Sequence, residues 1–322
     1  MKILVSGGAG FIGSHLVDHL LAEGHEVMIV DNAGSTEAGN LEHHSEQPRL
    51  RKVNHDIAQP LPASVRRFKP QRIYNLACSS GPAKRRRDPV SATITCVNGT
   101  RNLLDLARDC DARFLQGSSG GVYGDPAVHP QPESYLGNVD ANSARAPHDE
   151  AKRLAETLCR AFKTQHGLDV RVARIFSTYG PRMHAEGGRV ISNFVTQALS
   201  SDDLTVYGDG TQTRCFCYVD DMVRGLVSLM ESEDPRVAGP INLGSAEEQT
   251  LLQLAERVLR LTGSQSRLRH VGSGADDAHR RRADIALAED VLGWRPRVPL
   301  QQGLQSTVEY FRRQTPIAVH SQ

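Results

Sequence analysis

One glycine-rich turn near the start of the 322-residue chain constrains the fold more than any other feature. The run SGGAGFIG follows a buried strand, predicted over Lys2–Ser6, and leads into a helix predicted over Ser14–Leu21. Glycine allows a tight turn at Gly7, lets the backbone approach a pyrophosphate at Gly10, and lets the helix pack closely on the strand at Gly13. The helix N terminus adds amides and a partial positive charge. The sequence therefore predicts a dinucleotide-binding turn.

The residue that follows the second predicted strand, Glu26–Val30, indicates which dinucleotide binds. A carboxylate at Asp31 can accept hydrogen bonds from both ribose hydroxyls of NAD, and it repels the 2′-phosphate of NADP. We therefore predict NAD, with NADP as the alternative. Asp56 and Ile57 would flank the adenine if the third strand ends there. The residues that we predict to bind the cofactor are Gly7, Gly10, Phe11, Ile12, Gly13, Asp31, Asn32, Asp56, Ile57 and Ala77.

The first half of the chain alternates β-branched runs with helical patterns, which is typical of an α/β fold with a doubly wound parallel sheet. From about Gly180 the pattern changes to short strands and helices. We predict a dinucleotide-binding domain over residues 1–178 and a smaller α/β substrate lobe over 179–322, interleaved with the last strands of the sheet. The polar stretch Asn32–Gln47 is interpreted as a surface loop. The further predicted elements are the strands Arg72–Ala77, Arg113–Gln116 and Asp169–Ile175 and the helices Val90–Ala107 and Asp149–Gln165.

Composition and charge exclude several classes of protein. Lys and Arg total 38 against 37 for Asp and Glu, and this balance gives no reason to expect nucleic acid or an anionic membrane as a partner. No apolar run is long enough to span a membrane, and the N terminus is no signal peptide. The six cysteines show neither a CxxC pair nor zinc spacing, so we predict reduced thiols and no metal site. We expect a soluble cytoplasmic protein.

The spacing of the three glycines resembles the extended short-chain dehydrogenase/reductase superfamily rather than the GxGxxG pattern. Motifs along almost the whole chain resemble one branch of it, UDP-glucuronate decarboxylase (UDP-xylose synthase). These motifs are Asp125-Pro126-x-x-His129-Pro130-Gln131, Gly137-Asn138-Val139, Arg171 to Phe176, Gly180 to His184, Gly188 to Phe194, Leu204 to Gly208, Gln212-Thr213-Arg214, Asp276-Asp277 and Gly293-Trp294-x-Pro296.

The resemblance implies a Rossmann domain with tightly bound NAD and a C-terminal lobe that holds a nucleotide diphosphate sugar. It implies that Asn193, Tyr207 and Arg214 contact the nucleotide or its diphosphate, and that Arg281 contacts the sugar. Arg forks suit a doubly charged diphosphate. The resemblance also implies a homodimer that forms through the two long helices, which would make a four-helix interface.

The catalytic positions depart from the family pattern. The superfamily carries a Tyr-x-x-x-Lys pair at the start of the second long helix, and the matching residues here are His148 and Lys152, with Lys152 also a cofactor ligand. The Thr-Ser-Glu run of the decarboxylases corresponds to Ser119, Gly120 and Gly121. Two further positions of the substrate site differ as well: Arg85 replaces an aromatic hydroxyl, and Ser177 replaces an asparagine.

These departures leave three functions open. Our leading expectation is a single hydride transfer of the ketoreductase type in a specialised biosynthetic pathway, on a carbonyl compound that the enlarged pocket at Gly120 and Gly121 admits. The alternative is UDP-glucuronate decarboxylation, or a related nucleotide-sugar epimerase or dehydratase reaction, with His148 as the base and Ser119 as a nearby hydroxyl. Histidine is a competent acid or base near neutral pH. The third possibility is a non-catalytic protein that binds NAD and a nucleotide sugar.

Overall fold

A parallel β-sheet forms the centre of the computed structural model, which describes residues 1–32, 39–78, 88–272 and 280–314. Its seven strands lie in the order β11-β6-β5-β4-β1-β2-β3, and all neighbouring pairs run parallel. The strands of the described residues are β1 Lys2–Ser6, β2 Glu26–Asp31, β3 Leu50–Asn54, β4 Arg72–Asn75, β5 Arg113–Ser119, β6 Val170–Ile175, β7 Thr178–Tyr179, β8 Leu204–Tyr207, β9 Thr213–Cys215, β10 Cys217–Tyr218, β11 Pro240–Leu243, β12 Glu248–Thr250, β13 Leu268–Val271 and β14 Arg280–Arg281.

Helices cover both faces of this sheet. They are α1 Phe11–Ala22, α2 Ala63–Phe68, α3 Pro89–Cys110, α4 Ala146–His166, α5 Val190–Leu199, α6 Val219–Glu231, α7 Leu251–Thr262, α8 Ala286–Leu292 and α9 Leu300–Gln314. Successive residues of β1 enter two different hydrophobic clusters, with Ile3 and Val5 in one and Leu4 in the other. Side chains alternate across a strand, so the apolar run of β1 is buried on both faces, as a covered parallel sheet requires.

The strand order places a topological switch point between β1 and β4. The chain leaves β1 toward one side of the sheet and later leaves β4 toward the other, so the loops at their carboxyl ends separate and open a crevice. The glycine turn follows β1, and Ala77 follows β4. The doubly wound fold predicted from the sequence is confirmed, and it brings these two segments to the same edge.

Several predicted boundaries need correction. Helix α4 begins at Ala146, three residues before the predicted start, because Pro147 fits the first turn of a helix, where its missing N–H costs nothing. Strand β4 ends at Asn75 rather than at Ala77. The predicted loop Asn32–Gln47 contains a short 3₁₀ helix, Glu42–His44, within its described part.

The C-terminal half supplies small sheets and one strand of the central sheet. Strand β11 pairs with β6 and so extends the central sheet from a segment beyond residue 178. The three-stranded sheet β12-β9-β14 and the pair β13-β8 lie outside the central sheet. Trp294 is buried, and its indole N–H donates to the carbonyl of Asp221 at 2.9 Å, which fixes the segment after α8 on α6. The division into two domains at residue 178 stays a prediction.

Among the helices of the described ranges, none combines the length and apolar character needed to cross a membrane.

Candidate active site

The glycine turn after β1 has the close backbone packing that the sequence predicted. A Cβ at Gly13 would overlap the carbonyl oxygen of Gly7 and lie 2.9 Å from its carbonyl carbon. Gly7 has a φ of +70°, and a Cβ there would lie 2.7 Å from the backbone nitrogen of Ala77. Gly10 precedes α1 as its N-cap without a side-chain cap, and Phe11 and Ile12 form the first helical positions. The helix N terminus therefore faces the crevice with uncapped amides, which suit a pyrophosphate.

Asp31 is the last residue of β2 and lies beside this turn. Its Oδ2 accepts a hydrogen bond from the backbone N–H of Ala9 at 3.0 Å. A carboxylate at this place is able to accept hydrogen bonds from the ribose hydroxyls of a dinucleotide. Asn40 also reaches the turn, because its amide donates to the carbonyl of Ala9 at 3.1 Å. The glycine turn and the neighbouring carboxylate together fit NAD.

The residues predicted to flank the adenine lie just beyond β3. Asp56 is half-buried, and its carboxylate accepts from the backbone N–H of Ala58 at 2.9 Å. Ile57 is fully buried and packs so closely against Gly99 that a Cβ at Gly99 would lie 2.6 Å from its Cγ1. Asn32 directly follows Asp31 and is exposed. The roles of Asn32, Asp56 and Ile57 toward the cofactor stay predictions.

Lys152 and Ser119 meet at the carboxyl end of β5. Lys152 is buried, and its Nζ donates to the carbonyl of Gly117 within β5 at 2.7 Å. Ser119 ends the same strand, and its hydroxyl accepts from the N–H of Gly121 at 3.0 Å. The predicted catalytic lysine and serine are therefore brought to one end of the sheet, next to the switch point.

His148 lies four residues before Lys152 on α4, so both side chains are on the same face of the helix. The earlier start of α4 is what places His148 inside the first turn. Its side chain is 12% exposed, and its Nδ1 lies 2.8 Å from Oδ1 of Asp149. Asp149 is buried and also accepts from Nε of Arg145 at 3.3 Å.

The electrostatics around Asp149 keep its carboxylate ionised. Burial raises the pKa of Asp149, but the hydrogen bond from His148 and the charges of Arg145, His148 and Arg281 outweigh it, so the pKa lies below its ordinary value. The charge of Arg281 shows that strand β14 brings a cation toward this carboxylate.

Two glycines stand where the family resemblance led us to expect side chains, and their surroundings differ. A Cβ at Gly120 would lie 3.0 Å from the ring of Phe176. A Cβ at Gly121 would overlap Oδ1 of Asp149 and lie 3.3 Å from Oγ of Ser119. The expectation that both glycines enlarge a pocket is therefore wrong, because neighbouring side chains already fill the space.

The two arginines predicted to bind the substrate are brought together by the small sheet. Strand β14 runs parallel to β9, with Arg281 paired in register with Arg214. Nη1 of Arg214 donates to the carbonyl of Thr213 at 2.8 Å, and Nη2 of Arg281 donates to the carbonyl of Gly124 at 2.9 Å. Two arginines on adjacent strands could supply guanidinium groups for a diphosphate.

The other residues predicted to bind the substrate lie on other elements of the fold. Tyr207 ends β8 and is 50% exposed, Asn193 lies half-buried in α5, and Ser177 is exposed between β6 and β7. Arg85 lies outside the described residues, as does the rest of the charged run Lys84–Arg87. Their binding roles stay predictions.

The sequence analysis missed Asp149 and Cys78. Cys78 follows Ala77 after β4, and its thiol is hydrogen-bonded to Cys96 and His148 and lies within range of the charge of Lys152. Asp149 carried a signal, since an acidic residue next to a candidate histidine base is able to orient it. Cys78 carried none, because only the fold brings it to α4.

Asp18, His43 and His44 form a second polar cluster, with one ligand atom of each within 4.8 Å of the others. Both histidine Nε2 atoms lie within hydrogen-bond distance of Asp18 Oδ1, at 2.9 and 2.8 Å. The other carboxylate oxygen pairs with Arg182 at 2.7 Å. A guanidinium on the same carboxylate disfavours a cation, so we interpret the cluster as an ion-pair network that holds the 3₁₀ helix on α1.

The sequence model of the NAD dependent epimerase/dehydratase family matches residues 3–244. The chain belongs to this family. UDP-glucuronic acid decarboxylase 1 of Danio rerio is 47% identical over 313 residues, which are 97% of this chain and 73% of that protein. UDP-glucuronic acid decarboxylase 3 of Arabidopsis thaliana is 48% identical over 313 residues, which are 97% of this chain and 89% of that protein.

Solved structures show the same fold. UDP-glucose 4-epimerase of Thermotoga maritima, crystallised with UDP-glucose, aligns with a TM-score of 0.89 and 31% identity, over 98% of this chain and 99% of that one. UDP-glucuronic acid 4-epimerase of Bacillus cereus, in complex with UDP-glucuronic acid and NAD, aligns with a TM-score of 0.89 and 28% identity, over 98% and 100% of the two chains.

These similarities confirm several expectations and correct one. The resemblance to extended short-chain dehydrogenases/reductases and their UDP-glucuronate decarboxylase branch is confirmed, and NAD agrees with the family. The chain is an enzyme of this superfamily. The leading expectation of a ketoreductase-type reaction finds no support among these relatives. The alternative, a decarboxylase or epimerase reaction on a nucleotide sugar, agrees better with them.

Proposed function

We propose that this chain decarboxylates UDP-glucuronate to UDP-xylose with NAD as a recycled cofactor. The observation that carries the proposal is that a proton acceptor, His148, occupies the face of α4 that also carries Lys152. Its nitrogen Nδ1 is held by a buried carboxylate at 2.8 Å. An orienting partner of this kind is the arrangement that an acid/base histidine needs. The similarity to UDP-glucuronic acid decarboxylases over 97% of the chain supports the same reaction.

The proton transfers follow from the position of His148. A bound NAD would supply the redox chemistry, namely removal of the hydride from C4 of the sugar and its later return. His148 accepts the proton of the C4 hydroxyl as the C4 carbonyl forms. The carboxylate then leaves C5 as CO₂, because the carbonyl accepts the electron pair, and a proton from solvent replaces it at C5. Finally His148 gives its proton back to O4, so the histidine is unchanged at the end of the cycle.

The C-terminal lobe supplies the charge for the nucleotide. Arg214 and Arg281 are register partners on β9 and β14, and their two guanidinium groups match the two negative charges of a diphosphate. Tyr207, half exposed at the end of β8, offers a ring for the nucleotide. We propose that these three residues bind the UDP part of the substrate.

Incubation of the purified protein with NAD and UDP-glucuronate, followed by mass spectrometry, tests this function. We expect UDP-xylose and CO₂, and a loss of about 100- to 10,000-fold in kcat for His148→Gln. His166→Gln is the matched control, since His166 lies at the opposite end of α4 and makes an edge-on ring contact with Phe162. UDP-galacturonate as the product would establish epimerisation instead, and no product in a sample that binds NAD would overturn both reactions.

We also propose that the chain forms a homodimer through α3 and α4, which pack against each other in one subunit. Val90 and Ile94 on α3 are 68% and 45% exposed, and Leu154 on α4 is 46% exposed. A second copy of the same helices would cover these side chains in a four-helix interface. Light scattering should show a dimer that Leu154→Glu dissociates. Leu136→Glu, at an 85% exposed position outside both helices, should remain dimeric.

A further inference from the structure

The buried carboxylate of Asp149 exchanges no proton in the transfers described above, but it contacts His148, the residue that does. Its side chain is 3% exposed, and it accepts from Nδ1 of His148 at 2.8 Å and from Nε of Arg145 at 3.3 Å. Burying a carboxylate is costly unless its oxygens are hydrogen-bonded, and here both oxygens have partners.

Asp149 can occupy this position only because residue 121 is glycine. A Cβ at Gly121 would overlap Oδ1 of Asp149 and lie 3.0 Å from its Cγ. Any side chain at 121 would therefore displace the carboxylate from His148. The family pattern carries a glutamate at the position of Gly121. In this chain a carboxylate beside His148 comes from the first turn of α4.

The hydrogen bond determines which nitrogen of His148 carries the proton. An ionised carboxylate can only accept, so a neutral His148 must donate its Nδ1–H to Asp149. Its other nitrogen, Nε2, is then unprotonated and can accept a proton from a hydroxyl group. After that transfer both nitrogens carry protons, and the carboxylate stabilises the resulting imidazolium.

We propose that Asp149 is the positioning residue for His148, and that it holds the imidazole in the tautomer that accepts the proton of the sugar C4 hydroxyl. This inference rests on the proposed decarboxylase function. The proton moves from O4 to Nε2 when the C4 carbonyl forms, and it moves back to O4 at the end of the cycle. Asp149 stays ionised throughout and exchanges no proton with the substrate. The pair of residues 148 and 149 thus does the work that the family pattern assigns to a tyrosine.

The kinetic test uses Asp149→Asn, with Glu150→Gln as the matched control. Both variants change a carboxylate to an amide in the first turn of α4, but Glu150 is 47% exposed and pairs with Arg153 at 3.5 Å. We expect Asp149→Asn to lower kcat by about 100-fold or more while KM changes little, because a wrong tautomer cannot accept the proton. Glu150→Gln should behave like the wild type. Equal kcat values in the two variants would overturn the proposal.

A second variant displaces the carboxylate without removing it. Gly121→Ala places a methyl group where Oδ1 of Asp149 lies, so it should lower kcat as Asp149→Asn does. NAD binding and the melting temperature of each variant show whether it folds. If Asp149→Asn fails to fold, Gly121→Ala keeps the proposal testable. A folded Gly121→Ala enzyme with wild-type kcat would contradict it.

A spectroscopic measurement separates this inference from the proposed function. Nitrogen-15 spectra of the histidine rings in the NAD-bound protein, with His148 assigned by its absence in His148→Gln, report the tautomer without any substrate. We expect the neutral ring to carry its proton on Nδ1 in the wild type and to shift toward Nε2–H in Asp149→Asn. The same tautomer in both proteins would overturn the positioning role. The expected shift in a protein that makes no UDP-xylose would overturn the proposed function alone.

Discussion

Two regions of the candidate site differ in which atoms determine their properties. They are the cofactor end, at the glycine turn, and the proposed sugar end, around His148. At the cofactor end, backbone atoms determine the shape, since Gly7 and Gly13 pack so closely that a Cβ at either one would overlap the main chain. At the sugar end, side chains determine the chemistry, and His148, Asp149 and Lys152 act through hydrogen bonds of 2.7–2.8 Å. A backbone-defined site changes little when side chains vary, whereas a side-chain site can be rebuilt by a few substitutions.

This difference agrees with our proposal that the chain keeps the cofactor turn of its family and uses His148 as its proton acceptor. At Gly7 and Gly13 the surrounding backbone leaves no room for another residue. Proton transfer requires only a group of suitable chemistry at a suitable place, and a histidine with a buried carboxylate satisfies that requirement as a tyrosine does. We therefore expect the two ends to differ in how well they tolerate mutation.

The largest effect that we expect at the cofactor end is from Gly13→Ala. The added Cβ would overlap the carbonyl oxygen of Gly7, so α1 has to move away from β1 and its N-terminal amides leave the pyrophosphate position. Overpacking of this kind costs about 1–3 kcal/mol, and we expect NAD to bind about 100-fold more weakly in calorimetric titration.

Gly239→Ala is the control for that experiment. Gly239 has a φ of −93°, and a Cβ there would meet nothing within 4 Å, so the same change should leave NAD affinity unaltered. If Gly13→Ala binds NAD as tightly as Gly239→Ala, the backbone does not define the cofactor end and the contrast between the two ends fails.

The same contrast explains what could be predicted from the sequence. The limits of β1 and the position of Asp31 were predictable, because glycine spacing and apolar runs report local backbone geometry. The start of α4 was misplaced by three residues, and with it the fact that His148 lies within the helix. The spaces next to Gly120 and Gly121 were predicted to be open, because the sequence alone cannot show that Phe176 and Asp149 fill them. Contacts between residues distant in the chain decide such details.

The next effect in size concerns Asp31, where the cofactor end does depend on one side chain. Asp31→Asn removes the negative charge that repels a 2′-phosphate and weakens one charge-assisted hydrogen bond to the ribose. We expect the ratio of NADP to NAD affinity to rise about tenfold, which corresponds to about 1.4 kcal/mol in relative binding free energy. Competitive titration of both cofactors measures the ratio. Asp109→Asn on the surface of α3 is the matched control, and an equal ratio in the two variants would remove Asp31 from cofactor selection.

The smallest expected effect is a difference in cysteine reactivity. It tests whether side chains at the sugar end interact electrostatically. The hydrogen bond from Cys96 lowers the pKa of the Cys78 thiol; burial opposes this, but the charges of Lys152 and His148 add to it, and the pKa lies well below its ordinary value. Cys110 is also half-buried, and there burial raises the pKa of the thiol. The thiolate is the reactive form, so at neutral pH iodoacetamide should alkylate Cys78 about fivefold faster than Cys110.

The sign of that difference fixes its pH dependence. A thiol with a lowered pKa ionises at a lower pH than one with a raised pKa, so the rate of Cys78 levels off first while the rate of Cys110 goes on rising until the two converge. Peptide mass spectrometry of alkylated protein across this range measures both rates in one sample. Cys96→Ala should slow Cys78 and leave Cys110 unchanged, because only Cys78 loses a hydrogen-bond donor. Equal rates for the two cysteines at neutral pH would show that the neighbouring side chains do not lower the pKa of Cys78. That result would weaken the conclusion that side chains determine the chemistry of the sugar end.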